Sequence, residues 1–149
     1  MENSISFNTK FGWISASELN KKITSIQFKK LKSRGVASPS LRKLRYSIRA
    51  YFDGKIDNLK IPIEVYGNFL QRKIWKELKK IKKGKTKSYG EIARKFKISP
   101  RYVGKVCGQN KHMLVIPCHR VIRSNGSISG FSAPGGTKLK RKLIQFESE

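Results

Sequence analysis

The sequence predicts a two-part chain: an α/β N-terminal unit built from a short antiparallel sheet plus a helix, then a mainly helical, winged-helix-like helix-turn-helix C-terminal domain. Three observations carry this. Short β-branched and aromatic segments alternate with polar breaks through Ser4–Lys29, an amphipathic helical pattern follows Ser38-Pro39, and two short capped helices stand back to back after Ser88 and Ser99. The division falls between 1–65 and 66–149. A chain of 149 residues buries roughly 70% of its unfolded surface, enough for a real core.

Taken in order, Ser4–Phe7, Gly12–Ser17 and Ile23–Lys29 read as an antiparallel meander. Ser38-Pro39-Ser40 opens a helix in which Leu41, Leu44, Ile48 and Tyr51 recur at three- and four-residue spacing, ending near Asp53-Gly54. Nothing in this unit has the spacing of a catalytic site. Ile61–Val65 is expected to form a connecting strand. Leu70, Ile74, Leu78 and Ile81 then share a helical face, with Trp75 beside them and basic residues around the rest. Lys82–Lys87 is a charged turn around Gly84. Ser88-Tyr89-Gly90-Glu91 is a capping-box pattern, and that second helix carries Ile92, Ala93 and Phe96 before stopping at Lys97-Ile98. Ser99 as N-cap and Pro100 at the first helical position start a third helix reaching about Gly108. Two short helices joined by a tight turn, the second beginning with Arg101, make a helix-turn-helix.

Lys and Arg number 34 against 9 Asp and Glu, a formal net charge of +25. Self-repulsion of that size calls for a polyanionic partner, nucleic acid first. The charge is uneven, with 13 basic and 5 acidic residues in Met1–Val65 and 21 basic and 4 acidic in Tyr66–Glu149. A polyanion should therefore meet mainly the C-terminal part; the alternative is a solvated Lys-rich surface. Anionic lipid is disfavoured because no long helix combines a basic face with a wide apolar one. Scarce Glu argues against a hyperthermophile signature. With no signal-peptide pattern, no apolar run long enough to span a bilayer and two cysteines, Cys107 and Cys118, an intracellular, reduced chain without a membrane partner is expected. No Cys or His precedes residue 107, which excludes a zinc site in the N-terminal half.

Met113–Ile116 is an apolar run suited to a buried strand, delivering Pro117-Cys118-His119-Arg120 at its end. A free thiol is only a few per cent thiolate at neutral pH, so a base or a positive field must activate it, and His119 and the local charge supply both. The alternative, a buried small hydrophobe beside a hydrogen-bonded core histidine, stays open on these residues alone. Adjacent side chains on a strand point to opposite faces, so direct contact between Cys118 and His119 does not follow from their adjacency, and a bridging water is the alternative.

Ile116-Pro117-Cys118-His119-Arg120-Val121-Ile122, preceded by Ser88-Tyr89-Gly90-Glu91-Ile92-Ala93 and Arg101-x-Val103-Gly104 and followed by Gly130-Phe131-Ser132-Ala133-Pro134-Gly135-Gly136, resembles the O6-alkylguanine-DNA alkyltransferase family. The likeness spans Gly67–Glu147. It implies single-turnover, direct-reversal DNA repair. A methyl or larger alkyl group would pass irreversibly from O6 of a flipped-out guanine, and possibly from O4 of thymine, to Cys118, with no cofactor or metal. The implied partner is double-stranded DNA carrying O6-alkylguanine, bound by a monomer. O6 lies inside the base stack, so the thiol reaches the alkyl carbon only after the base is extruded.

The same likeness implies a set of roles. Cys118 would be the acceptor and His119 its base through a water; Glu147 would orient the imidazole, Tyr89 would turn the nucleotide and protonate the departing base, and Asn110 would brace the turn. DNA contacts would come from Arg101, which fills the vacated stack, with Tyr89, Tyr102, Gly104, Lys105 and Arg120. Met113, Val121, Phe131 and Ser132 would line the base pocket. Tyr102 departs from the small residue usual there, and Lys111 and Met113 stand where proline is common. Two rivals are weighed: a lesion sensor of the alkyltransferase-like kind, which lacks the thiol that Cys118 provides, and a helix-turn-helix transcription regulator, for which a specific operator would be expected.

Overall fold

Strand pairing starts at the N-terminus. The structure, a computed structural model, describes residues 2–131 and 133–149. β1 (Asn3–Thr9), β2 (Gly12–Leu19) and β3 (Lys22–Gln27) pair antiparallel in that order, matching the meander read from the sequence. Phe7 faces Ile14 and Ile5 faces Ala16 across the first ladder, and all four are buried, so one face of the sheet is apolar. α1 (Pro39–Phe52) is capped by Ser38, whose hydroxyl accepts from the Leu41 N–H at 3.3 Å, and Pro39 opens it without losing a needed donor. Its stripe of Leu41, Leu44, Ile48 and Tyr51 is buried and packs on the sheet.

The chain divides into two compact units: 1–65 with 111–115, and 66–110 with 116–149. Lys111–Val115 thus joins the first unit, whereas the sequence division left it with the second. The backbone gives the reason: the Ile26 N–H donates to the Lys111 carbonyl at 2.8 Å, and the Met113 N–H donates to the Ile26 carbonyl at 3.2 Å. The expected strand Ile61–Val65 is reduced to one parallel bridge, Ile23 with Ile63. Pro62 has no N–H to extend a ladder.

In the second unit α2 (Phe69–Leu78) begins with a reciprocal Asn68–Gln71 capping box and buries Ile74, Trp75 and Leu78. The Trp75 indole N–H donates to the Val106 carbonyl at 3.0 Å. β4 (Lys87–Ser88) leads into α3 (Tyr89–Phe96), where Ser88 and Glu91 form the predicted capping box. Lys97 ends α3 in the left-handed region at φ 55°, and α4 (Pro100–Gly108) starts under its Ser99 cap and packs on α3.

The predicted buried strand at Met113–Ile116 is not formed. Leu114 has φ 74°, which breaks an extended run, and the Cys118 N–H donates back to the Ile116 carbonyl at 2.8 Å around Pro117 at φ −80°, ψ 65°. That is an inverse γ-turn, and Cys118–Arg120 continues it as one turn of 3-10 helix. β5 (Val121–Ile122) then pairs parallel with β4, and α5 (Gly136–Ser148), which the sequence reading left unassigned, closes the chain.

Candidate active site

The tight turn over Pro117 fixes where the thiol sits. Cys118 is buried, yet it reaches the wall of a cavity of about 550 Å³ that is also lined by Tyr89, Arg101, Gly104, Cys107 and Phe131. The Asn110 amide holds the turn from behind: its Nδ2 donates to the Ile116 carbonyl at 2.8 Å and to the Cys118 sulfur at 3.2 Å. Burial pushes the Cys118 thiol up, while the Asn110 N–H and the charge on Lys140 pull the other way. The resting group is therefore a thiol, and reaction requires a base.

Behind the turn lies a buried polar cluster. Arg120 Nε donates to Glu147 Oε1 at 2.9 Å and Nη2 to Oε2 at 2.7 Å, a two-pronged pair, while Nη1 donates to the Ile81 carbonyl at 2.6 Å. His119 Nε2 lies 2.9 Å from Glu147 Oε1, close but off the line of a straight hydrogen bond. Burial alone would raise the Glu147 carboxyl, but Arg120 and His119 outweigh it and hold it far below the usual range. Burial lowers His119, and the Glu147 contact opposes this only in part. Imidazole is thus neutral at neutral pH. With Nε2 turned to an ionised carboxylate, the proton belongs there and Nδ1 is left as the basic nitrogen.

Lys140 completes the cluster from α5. It is 1% exposed, and its Nζ donates to the Tyr89 hydroxyl at 3.1 Å and to the Ser129 and Gly130 carbonyls at 2.9 and 3.4 Å. The Tyr89 oxygen therefore accepts from an ammonium and keeps its own proton for another partner. Gly104 on α4 faces the same ring: a Cβ there would sit 3.8 Å from Tyr89 Cε1, so a side chain larger than alanine's would crowd it.

Of the residues expected at the site, Cys118, Tyr89, Arg101, Gly104 and Phe131 come together at the cavity, and His119, Glu147 and Asn110 stand behind its thiol. Tyr102 is partly exposed and Lys105 exposed on α4. Arg120 is corrected from a DNA contact to an internal brace, since its guanidinium is buried with both edges engaged. Met113 and Val121 are not in the cavity wall. Met113 is drawn into the first unit by its bond to Ile26, and Val121 is fully buried in the β4–β5 pair. Ser132 lies outside the described residues. The sequence reading missed Lys140, and Cys107 and Arg123 in the cavity wall. The available signal was spacing: Lys140, Leu143, Ile144 and Glu147 fall on one helical face. Among the described residues no cluster of metal-ligating side chains occurs.

Residues 69–149 match the model of the 6-O-methylguanine DNA methyltransferase DNA binding domain. The chain belongs to this family. It is 33% identical over 142 residues to a methylated-DNA–protein-cysteine methyltransferase of Sulfolobus acidocaldarius, covering 95% of this chain and 90% of that one. A relative of the same name from Metallosphaera sedula is 36% identical over 143 residues, with the same coverage. Among solved structures, Mycobacterium tuberculosis OGT in complex with DNA matches with a TM-score of 0.87 and 27% identity, over 97% of this chain and 92% of that one. The family's matched domain includes every side chain of the cavity wall and of the buried cluster described above.

Proposed function

We propose that the protein repairs DNA by direct reversal, moving a methyl or alkyl group from O6 of guanine in a flipped-out nucleotide to the sulfur of Cys118. The carrying observation is a thiol on the wall of a cavity large enough for a purine, with the Asn110 N–H on its sulfur and an ionised Glu147 held against a neutral, buried His119. Family membership and the names of the relatives support the same reaction.

The chemistry follows from the charges. His119 Nδ1 takes the thiol proton through a water, and the imidazolium so formed is stabilised by Glu147, itself clamped by Arg120. The thiolate attacks the alkyl carbon as the carbon–O6 bond breaks, and the electron pair leaves with the guanine. Tyr89, backed by the Lys140 ammonium, donates the proton that neutralises the departing base. The thioether left on Cys118 has no hydrolytic exit, so each chain acts once. No cofactor enters the balance.

Arg101 is exposed at the cavity mouth at the start of α4, where a guanidinium can occupy the stack an extruded base leaves. The α3–α4 pair with the short β4–β5 ladder serves as a winged-helix-like DNA reader, with Tyr102, Gly104 and Lys105 against the backbone. The protein works as a monomer inside the cell, with residues 66–110 and 116–149 carrying both DNA binding and chemistry and residues 1–65 with 111–115 forming a separate small α/β unit. The test is repair of a duplex bearing one O6-methylguanine by the purified chain and by Cys118→Ser. The expected result is loss of the lesion with the first and none with the second; equal repair by both overturns the proposal.

A further inference from the structure

α1 of the first unit carries a concentration of arginine of which its fold uses only one, Arg49. The chain holds 24 Lys but only 10 Arg, and three of those ten, Arg42, Arg45 and Arg49, fall on one face of this helix. With Tyr46 they occupy i, i+3, i+4 and i+7, the face opposite the buried stripe. Tyr46 is 75% exposed, so its ring and hydroxyl are open to a partner on this face. Together with Lys55 these residues line a hollow of about 420 Å³, and Asp53 is the single carboxylate in its wall. α1 itself contains no acidic residue. None of the three arginines forms a salt bridge among the described residues; Arg49 only stacks its guanidinium over the Phe7 ring, 5.5 Å from its centre.

We infer that this face is a second nucleic-acid contact, binding the phosphodiester backbone of DNA independently of the cavity in the second unit. Arg is the side chain whose planar fork matches phosphate oxygens in pairs, and an exposed phenol adds a donor to phosphate or sugar. A second copy of the chain is a poor occupant, because both partners carry +25. Anionic lipid is also disfavoured, since the apolar stripe of α1 is spent on the sheet and nothing remains to enter a bilayer. The inference rests on the duplex substrate proposed above. Once one unit holds the duplex, the tethered face meets phosphate at high effective concentration, so individually weak contacts suffice.

The test compares the full chain with Arg42→Gln/Arg45→Gln, which leaves the Arg49–Phe7 stack intact, by anisotropy on undamaged duplex DNA across a salt series. Each lost phosphate contact should reduce the salt slope by about 0.9, so the double variant should lose roughly tenfold less affinity than the parent between about 50 and 200 mM salt. Alkyl transfer from the free base O6-benzylguanine should be unchanged, and thermal melting should confirm that the variant is folded. An identical salt slope in the two proteins overturns the inference. So does an unchanged slope combined with lost co-sedimentation on phosphatidylserine vesicles, which would assign the face to membrane. Failure of both proteins to take the benzyl group would count against the alkyl-transfer reading instead, and the slopes would still decide the face of α1.

Discussion

The two units bury different things. The first has an apolar core of Ile, Leu, Phe and Tyr side chains. Its buried carboxylate, Glu18, accepts from the Asn3 amide at 2.8 Å, and its buried histidine, His112, bonds the Ile23 carbonyl at 3.1 Å. The second buries Arg120, Lys140, Glu147 and Glu77, charges that cost several kcal/mol each to remove from water unless paired, together with the neutral His119. Most of them converge on one turn, behind Cys118 and beside Tyr89. A core that serves folding avoids such groups, and one that must generate a thiolate in a dry site needs them. The contrast marks the second unit as the reactive one without reference to any motif.

Breaking the pair should show the contrast most strongly. Arg120→Met, close in volume, leaves Glu147 buried without its main partner. It should lower unfolding stability by about 3–5 kcal/mol in urea titrations. An apolar substitution inside the first unit that leaves no charge stranded, such as Ile48→Val, should cost only about 0.5–1.5 kcal/mol. Lys140→Met removes the ammonium behind Tyr89 and one of the charges favouring the Cys118 thiolate. A preorganised donor at a developing charge supports rate by about a hundredfold or more, so single-turnover transfer should slow by that order with DNA affinity little changed.

Acid should act in the same place. His119 and Glu147 both have folded-state values below their ordinary ones, so the unfolded chain binds more protons than the folded chain as acidity rises. Their contribution is complete above the ordinary histidine value of 6.5 and is lost as pH falls, first through His119 and then, below the ordinary carboxylate value of 4.5, through Glu147. Urea midpoints measured downward from neutral pH should fall, and His119→Asn should flatten the first part of that decline. A smaller effect than at Arg120 or Lys140 is expected at Gly84, which has φ 83° and whose added Cβ would lie 3.1 Å from the Glu147 carbonyl. Gly84→Ala should cost about 1–2 kcal/mol from the left-handed backbone, with a modest slowing of transfer as Glu147 shifts.

How much of this was legible in the sequence depended on how local the cause was. The Ser88–Glu91 capping box, the Ser99 cap, the helix opening at Ser38-Pro39 and the hairpins of the meander are set by residues close in sequence, and they came out as predicted. Met113–Ile116 was misread because an apolar run does not distinguish a strand from a set of buried turns, and Leu114 adopts a backbone conformation that its side chain disfavours. α5 was missed because three of its five exposed positions, and the buried Lys140 as well, are basic, and only Leu139 and Leu143 mark its apolar side strongly. Arg120 was misplaced for the same reason: in a chain this basic nothing local separates an arginine that faces solvent from one that grips a carboxylate 27 residues away.

On the proposed function the buried cluster makes one thiol reactive, and a second cysteine in the same cavity wall provides an internal control. Cys107 is pushed up to about 12 by burial, without the Asn110 donor that Cys118 has. The direct measurement is peptide mapping by mass spectrometry after reaction with excess DNA carrying O6-methylguanine. One methyl group per chain, entirely on the peptide containing Cys118, is the predicted result. Methylation of Cys107, or continued removal of lesions after one equivalent, would contradict it.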